Sequence, residues 1–500
     1  MLPPGAIRGI VEGFYGPPWS WDDRVEVGRF CASRGMTHYV YAPKDDPAHR
    51  LHWRDLYGPE ELAGFEAMVA DSGLVLGFGI SPGLDIDAYS YDDRKALQVK
   101  VDQVVDLGAG LVMLAFDDIP FDPSGGPKHA ALARDLAEHL DGRASVILVP
   151  TEYVGMARTR YLDDLARLTP PEIPIGWTGP AVVNDSITAE EARARADALG
   201  GRAPLIWDNY PVNDATMADR LHLGPLWGRD HDLLDACSGY LANPMVQPRC
   251  SRLPLASIAA WLRGDDPLTA WAEEAGALRV FAEACDGRVP GALAADLAAE
   301  ADGPQWASAA RPLAEWLAAA AACEAPGLED EAADWLRQVH REARLGLSAL
   351  RLIQAGRPVV TVDDNGVGQI IPPQADAVLA EALLIGGRWP AVRRSEHTVM
   401  GPRCSFRPML RQRADGDWIM AAAAIEEGQN AIDALVRSAL ETLDDAPVEV
   451  GPVELLVEGE RVDVDREGRF EVEPGVEIVA LCGSVRTTQR TPCTPPVPTA

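Results

Sequence analysis

The stretch LVMLAFDDIP, residues 111–120, is apolar until it meets two adjacent aspartates, Asp117 and Asp118. Two carboxylates this close cannot ionise independently, because each charge raises the cost of the other. That coupling suits an acid–base catalyst working beside an ionised partner. A metal-binding pair or a ribose-binding aspartate would carry the same signature. The chain has eight Asp-Asp pairs, starting at residues 22, 45, 92, 117, 163, 265, 363 and 444. Most have local explanations. Asp22-Asp23 and Asp92-Asp93 open helices, Asp163-Asp164 lies on a helix surface, and Asp265-Asp266 and Asp444-Asp445 sit at helix ends. Asp363-Asp364, in DDNG, has turn chemistry, and a loop role suffices for Asp45-Asp46 in APKDDP. Only the pair at 117 ends a fully apolar strand-like run. Neighbouring side chains on a strand point to opposite faces. Both can face one site only if the backbone turns there.

Other strand-like runs end in similar polar knots. Apolar runs begin at residues 9, 37, 74, 111, 145, 173, 203 and 239. Amphipathic segments at 21–34, 58–72, 92–107, 128–140, 158–168, 187–199 and 251–264 separate or follow them, with a short, weak one near 215–221. In DSITAEEARARADALG, Asp185 or Ser186 is the expected helix cap. Strand–helix alternation with near-continuous apolar strands argues for a parallel sheet covered by helices. Eight such units in the first 266 residues predict a (β/α)8 TIM barrel with its site at the C-terminal ends of the strands. An open doubly wound sheet is the alternative, but no GxGxxG follows the first strand.

The knots supply Tyr153, Trp177, Trp207, Asn209, Asp214 and Asn243, plus Glu12, Tyr15 and Lys44. Amides, carboxylates and a lysine hydrogen-bond hydroxyls, and aromatic faces stack on a pyranose. This set fits a carbohydrate. Trp177 and Tyr15 read as packing or turn residues, and Glu12 as the partner of Lys44 or of an arginine. A net charge of −31 speaks against a nucleic-acid surface, which needs clustered Lys and Arg. Only Lys44, Lys95, Lys100 and Lys128 stand against 41 arginines, which makes a lysine inside a polar motif notable. The eight cysteines include no CxxC and the nine histidines no HExxH, so neither a metal nor an organic cofactor is expected. No signal peptide or membrane span is visible, which makes the cytoplasm the expected location.

Seven motifs in order carry a family resemblance: VEGFYGPPWSW, YVYAPKDDPAHR, ISPGLD, FDDI, PTEY, WTGP and IWDNYPVND. Together they resemble the glycoside hydrolase family 84 domain, the β-N-acetylglucosaminidase family that includes protein O-GlcNAcases. The resemblance covers residues 7 to about 265. It implies a retaining exo-β-N-acetylglucosaminidase in which the substrate's own 2-acetamido oxygen attacks the anomeric carbon and forms an oxazoline. Asp117 would then orient the acetamido N–H, and Asp118 would act as general acid and then base. Tyr153 would hold the acetamido oxygen. Asn209 would brace Asp117 and the acetamido group, and Trp207 would line its pocket. Asp214, helped by Asn243, would bind the 4- and 6-hydroxyls, with Lys44 and the Gly13 carbonyl on the 3-hydroxyl. The MVQP that follows Asn243 departs from the more polar family pattern. The implied substrate is a β-linked N-acetylglucosamine glycoside or glycoprotein. The rivals are an endo-acting hyaluronidase-like hydrolase and a catalytically idle sugar-binding protein.

Beyond the barrel, residues 267–446 read as a helical domain with an irregular insert near 355–415, which includes VTVDDNGVGQIIPP, a turn or lid loop. One helix is expected over 417–443. The alanine-rich helices suit a homodimer contact. Residues 447–500 form a strand-rich end. There D-x-D-x-E-G at 463–468 reads as a hairpin, since position 12 of a calcium loop would be Pro474.

Overall fold

The computed structural model describes residues 2, 5–300, 305–363, 367–401, 408–412, 418–422, 430–445, 454–462, 469–472, 476–482 and 485–490. The chain divides into two compact units, Met1–Gly276 and Ala277–Ala500.

In the first unit, eight parallel strands alternate with helices. They are β1 (Arg8–Glu12), β2 (His38–Tyr41), β3 (Val75–Ile80), β4 (Leu111–Ala115), β5 (Ser145–Val149), β6 (Gly176–Trp177), β7 (Leu205–Asp208) and β8 (Gly239–Ala242). Their order is β5-β4-β3-β2-β1-β8-β7-β6, and a parallel bridge between Leu148 and Ile175 joins the two ends. The sheet is therefore closed, and the open doubly wound alternative falls. Closure leaves no strand edge.

The helices are α1 (Trp21–Ser33), α2 (Pro59–Asp71), α3 (Tyr91–Val105), α4 (Gly126–Leu140), α5 (Arg160–Leu168), α6 (Ala189–Ala198), α7 (Pro248–Arg263) and α8 (Pro267–Ala275). Ser20 and Ser90 cap α1 and α3, with the Asp22-Asp23 and Asp92-Asp93 pairs in the first turns. The cap of α6 is Thr188 rather than Asp185 or Ser186. Glu191, three residues on, returns the bond and completes a capping box. The expected seventh helix is absent as an α-helix. Two 3-10 turns, Ala215–Met217 and His231–Asp235, stand between β7 and β8.

Strand parity sorts the core. Val11, Val40, Ala42, Leu111, Met113, Ala115, Ile147, Val149, Leu205, Trp207 and Leu241 fill the barrel. The alternate residues, among them Val112, Leu114, Phe116 and Ile206, face the helices. A buried ion pair locks the first strand to the first helix. Arg24 donates to both Glu12 oxygens at 2.8 and 2.9 Å, and the Tyr39 hydroxyl adds a third bond at 2.6 Å. Glu12 therefore pairs with an arginine and not with Lys44.

In the second unit, α9 (Arg279–Asp286), α10 (Arg288–Ala299), α11 (Trp306–Ala320) and the long α12 (Glu329–Ala355) are followed by a hairpin of β9 (Val359–Val362) and β10 (Val367–Ile371). The insert near 355–415 is thus partly regular, and the turn expected in VTVDDNGVGQIIPP joins the two strands of the hairpin. It contains this hairpin and the 19-residue α13 (Ala375–Arg393), whose hydrophobic residues are not confined to one face. Residues 418–422 are a strand, and the helix expected over 417–443 is α14 (Ala431–Asp445). The strand-rich end forms a four-stranded antiparallel sheet within 454–490. Residues 463–468 lie outside the described residues. Cys31 and Cys237 are buried free thiols, and Cys285 and Cys323 are partly exposed ones. No described helix is both long and apolar enough to cross a membrane.

Arg24→Met leaves Glu12 charged and buried without its cation. It should lower the stability of the barrel unit by about 3–5 kcal/mol in urea unfolding followed by tryptophan fluorescence. A loss under about 1 kcal/mol would show that the pair is dispensable.

Candidate active site

The strand parity that fills the barrel also builds the site. Continuing each inward row beyond its strand end gives Gly13 after Val11, Lys44 after Ala42, Asp117 after Ala115, Asn209 after Trp207 and Asn243 after Leu241. Asp118 falls on the outward parity. Its backbone adopts a left-handed conformation, φ 52°, which ends the strand rule and brings its carboxylate to the same side as Asp117. All nine sequence-predicted residues, Gly13, Lys44, Asp117, Asp118, Tyr153, Trp207, Asn209, Asp214 and Asn243, line one cavity of about 210 Å³ at the C-terminal face.

The two aspartates have opposite surroundings. Asp117 is buried and forms an ion pair with Lys44, which is buried as well. Burial pushes the Asp117 carboxyl up, but the Lys44 ammonium more than offsets this and holds it below the ordinary carboxylate value. The mutual repulsion expected of adjacent carboxylates is thus relieved at Asp117 by a lysine. Its other oxygen, Oδ1, is buried and has no hydrogen-bond partner. Asp118 is exposed at the cavity mouth. Its Oδ1 accepts from the Tyr153 hydroxyl at 2.7 Å and its Oδ2 from the Tyr15 hydroxyl at 2.8 Å.

Lys44 owes its place to the loop after β2. Asp46 accepts from the hydroxyls of Tyr41 and Tyr57 at 2.8 and 2.6 Å, and Asp45 accepts from the Gly16 N–H at 2.9 Å. The loop role expected for that aspartate pair is what these bonds perform. Behind the loop, His49 is buried beside Lys44 and Asp117, with its Nδ1 2.9 Å from the Gly79 carbonyl. Burial, and then the Lys44 charge, lower His49 to about 4, so it is neutral at physiological pH.

The far wall is an amide network. Asn209 Oδ1 accepts from Trp207 Nε1 and from Asn243 Nδ2, both at 3.0 Å, and Asn209 Nδ2 donates to the Val182 carbonyl at 2.8 Å. Asn209 therefore braces Trp207 and Asn243, and Lys44 rather than Asn209 holds Asp117. Asn243 Oδ1 accepts the Gly13 N–H at 3.1 Å, so the departure after Asn243 does not remove it from the site. Gly13 is required there because a Cβ would lie 2.3 Å from the Trp207 ring. Asp214 Oδ2 accepts the Tyr15 N–H at 2.8 Å, and burial raises the Asp214 carboxyl above its usual value.

Trp177 is buried packing, as expected, with its indole N–H on the Gly155 carbonyl at 2.9 Å. Tyr15 is not a packing residue. It is 39% exposed and reaches Asp118. Sequence reasoning also missed Arg50, which contacts Asp118 and Tyr15, and the apolar lining residues Val149, Val182, Val183, Val212 and Met217. Arg50 was reachable, since it closes the motif that contains Lys44. Among the described residues no three His, Cys, Asp or Glu side chains converge in a metal-binding group.

A family model described as beta-N-acetylglucosaminidase matches residues 8–289. The protein O-GlcNAcases of Rattus norvegicus and Mus musculus are each 32% identical over 277 residues. That match covers 52% of this chain and 30% of each relative, so the chain spans under a third of their length. A solved variant of the Thermobaculum terrenum O-GlcNAc hydrolase superposes with a TM-score of 0.69 at 24% identity, over 79% of this chain and 91% of that one. At that identity the superposition speaks to the fold. The family match, over more than half of the sequence, makes this chain a member of the beta-N-acetylglucosaminidase family, glycoside hydrolase family 84.

Proposed function

We propose that this protein is a retaining exo-β-N-acetylglucosaminidase that removes terminal β-linked N-acetylglucosamine by substrate-assisted catalysis. One observation supports this reading above the others. Asp117 is an ionised, buried carboxylate with one oxygen on Lys44 and the other without a partner, on the wall of the cavity. A buried acceptor left unmade is costly, and a substrate N–H relieves that cost. An acetamido N–H on Oδ1 would aim the amide oxygen at the anomeric carbon. The nucleophile then comes with the substrate, and the rate gain is one of proximity. Negative charge at Asp117 stabilises the positive charge that develops as the oxazoline forms.

Asp118 then serves as the general acid and, for the incoming water, the general base. Tyr153 moves its hydroxyl from Asp118 to the acetamido oxygen. Asp214 and Asn243 bind the 4- and 6-hydroxyls. Lys44, with its remaining N–H donors, and the Gly13 carbonyl take the 3-hydroxyl. Trp207 and Asn209 shape the acetamido side. With Asp214 walling the cavity that holds Asp117 and Asp118, the exo reading is favoured over endo cleavage of a chain. The paired carboxylates favour an enzyme over a passive sugar binder, which needs no general acid. Protein O-GlcNAcase is what the rodent relatives are named, and a glycoprotein or glycoside bearing β-linked GlcNAc is the substrate class proposed here. We place the protein in the cytoplasm. A homodimer through the helical region is part of the same reading; Leu379 and Leu383, exposed one turn apart on α13, support it.

Asp118→Ala should reduce kcat/KM for an alkyl glycoside, whose leaving group needs a proton, by about 10²–10⁴-fold. For a dinitrophenyl glycoside the loss should stay under about tenfold, and equal losses on both would remove the acid assignment. Lys44→Met removes the charge that keeps Asp117 ionised. Burial then dominates and favours the neutral carboxyl, so the acidic limb of the kcat/KM–pH profile should move to higher pH. An unmoved limb would show that Asp117 does not need its lysine. A thiazoline mimic of the oxazoline should compete with substrate and bind far more tightly than N-acetylglucosamine. Failure to inhibit would rule out the intramolecular nucleophile.

A further inference from the structure

Asp118 has a hydrogen-bond problem that the catalytic reading leaves open. Both of its oxygens are engaged by phenols, Oδ1 by Tyr153 and Oδ2 by Tyr15. A carboxyl held on both oxygens cannot hand a proton to a glycosidic oxygen until one donor leaves. Moving Tyr153 to the acetamido oxygen releases Oδ1. What then fixes the carboxyl is Tyr15 together with Arg50. Arg50 Nη1 donates to the Tyr15 hydroxyl oxygen at 2.7 Å, and its Nη2 donates to the Asp118 backbone carbonyl at 2.6 Å. The guanidinium thus holds the left-handed residue through its backbone and polarises the phenol that grips its side chain. The Tyr15 N–H on Asp214 ties the same residue to the proposed hydroxyl-binding wall.

We propose that Tyr15, backed by Arg50, is the positioning residue of the general acid: it keeps Oδ2 of Asp118 throughout turnover, so that Oδ1 alone carries the proton. This rests on the substrate-assisted reading. In the first step the acetamido oxygen bonds to the anomeric carbon and the glycosidic C–O bond breaks. The proton on Asp118 Oδ1 passes to the departing oxygen. In the second, water attacks the anomeric carbon, the oxazoline C–O bond breaks, and the water proton returns to Oδ1. Tyr15 neither gains nor loses a proton. Its phenol is pushed up to about 12 by burial and by Asp118, which keeps it a donor across the working pH range. Tyr15 is thus tied both to the acid, through its hydroxyl, and to the wall, through its backbone N–H.

The test is Tyr15→Phe, which deletes only the hydroxyl of a partly exposed ring and leaves the backbone N–H on Asp214. Asp118→Ala is assayed beside it. On an alkyl β-GlcNAc glycoside the phenylalanine variant should lose about 10–100-fold in kcat/KM, and on the dinitrophenyl glycoside less than about threefold. Arg50→Met should give the same pattern more weakly, and Arg50→Lys should restore part of it. If Asp118→Ala discriminates between the substrates but Tyr15→Phe loses equally on both, or loses nothing, the positioning role is overturned while the catalytic reading stands. If Asp118→Ala itself does not discriminate, both fall.

Discussion

The ion pair between Lys44 and Asp117 is the constraint around which this site is arranged. Burying either charge alone is costly, and an apolar strand end is a poor place for a carboxylate. Paired, each makes the other tolerable, and the pair holds Asp117 ionised in the wall of a cavity. The rest of the site follows from keeping that arrangement. Asp45 and Asp46 pin the loop that carries Lys44. Neutral His49 lies behind it, so no second buried cation competes for Asp117. Gly13 leaves the space that Trp207 needs, and Trp207 with Asn243 fixes Asn209.

Against that fixed anion stands Asp118, the general acid of the proposed mechanism. The two aspartates are neighbours in sequence, yet one is buried against an ammonium and the other is exposed between two phenols. The difference comes from one backbone turn. Had the strand continued at residue 118, the side chain would have faced the helices beside Phe116 instead of the cavity. A left-handed conformation at a non-glycine residue costs roughly 1–2 kcal/mol. Here a bond from Arg50 to the residue's own carbonyl helps to hold it.

Much of this was legible in the sequence because period-2 alternation and polar knots are local signals. The apolar runs marked the eight strands, and the knots together with the family resemblance pointed to nine residues that converge on one cavity. The misses also have physical causes. Tyr15 reads as packing because an aromatic in FYG has no local mark of a partner 103 residues away. Asn209 was expected to brace Asp117, yet its carbonyl oxygen was already engaged by Trp207 and Asn243. The helix cap at Thr188 was overlooked in favour of Asp185, whose carbonyl is instead held by Arg229. α13 escaped because its hydrophobic residues are spread around the helix.

By itself the sequence determined the strand ends, the residue types at them and the family, since these depend on neighbours along the chain. Tertiary structure decided the electrostatic roles. Nothing local indicates that Lys44 would meet Asp117 across 73 residues, or that Asp117 would keep one oxygen without a partner while Asp118 received two phenols. Barrel closure sets those pairings by bringing the inward rows of separate strands to one rim. The charge and hydrogen-bond state of a carboxylate depends on what surrounds it there, not on what precedes it in the chain.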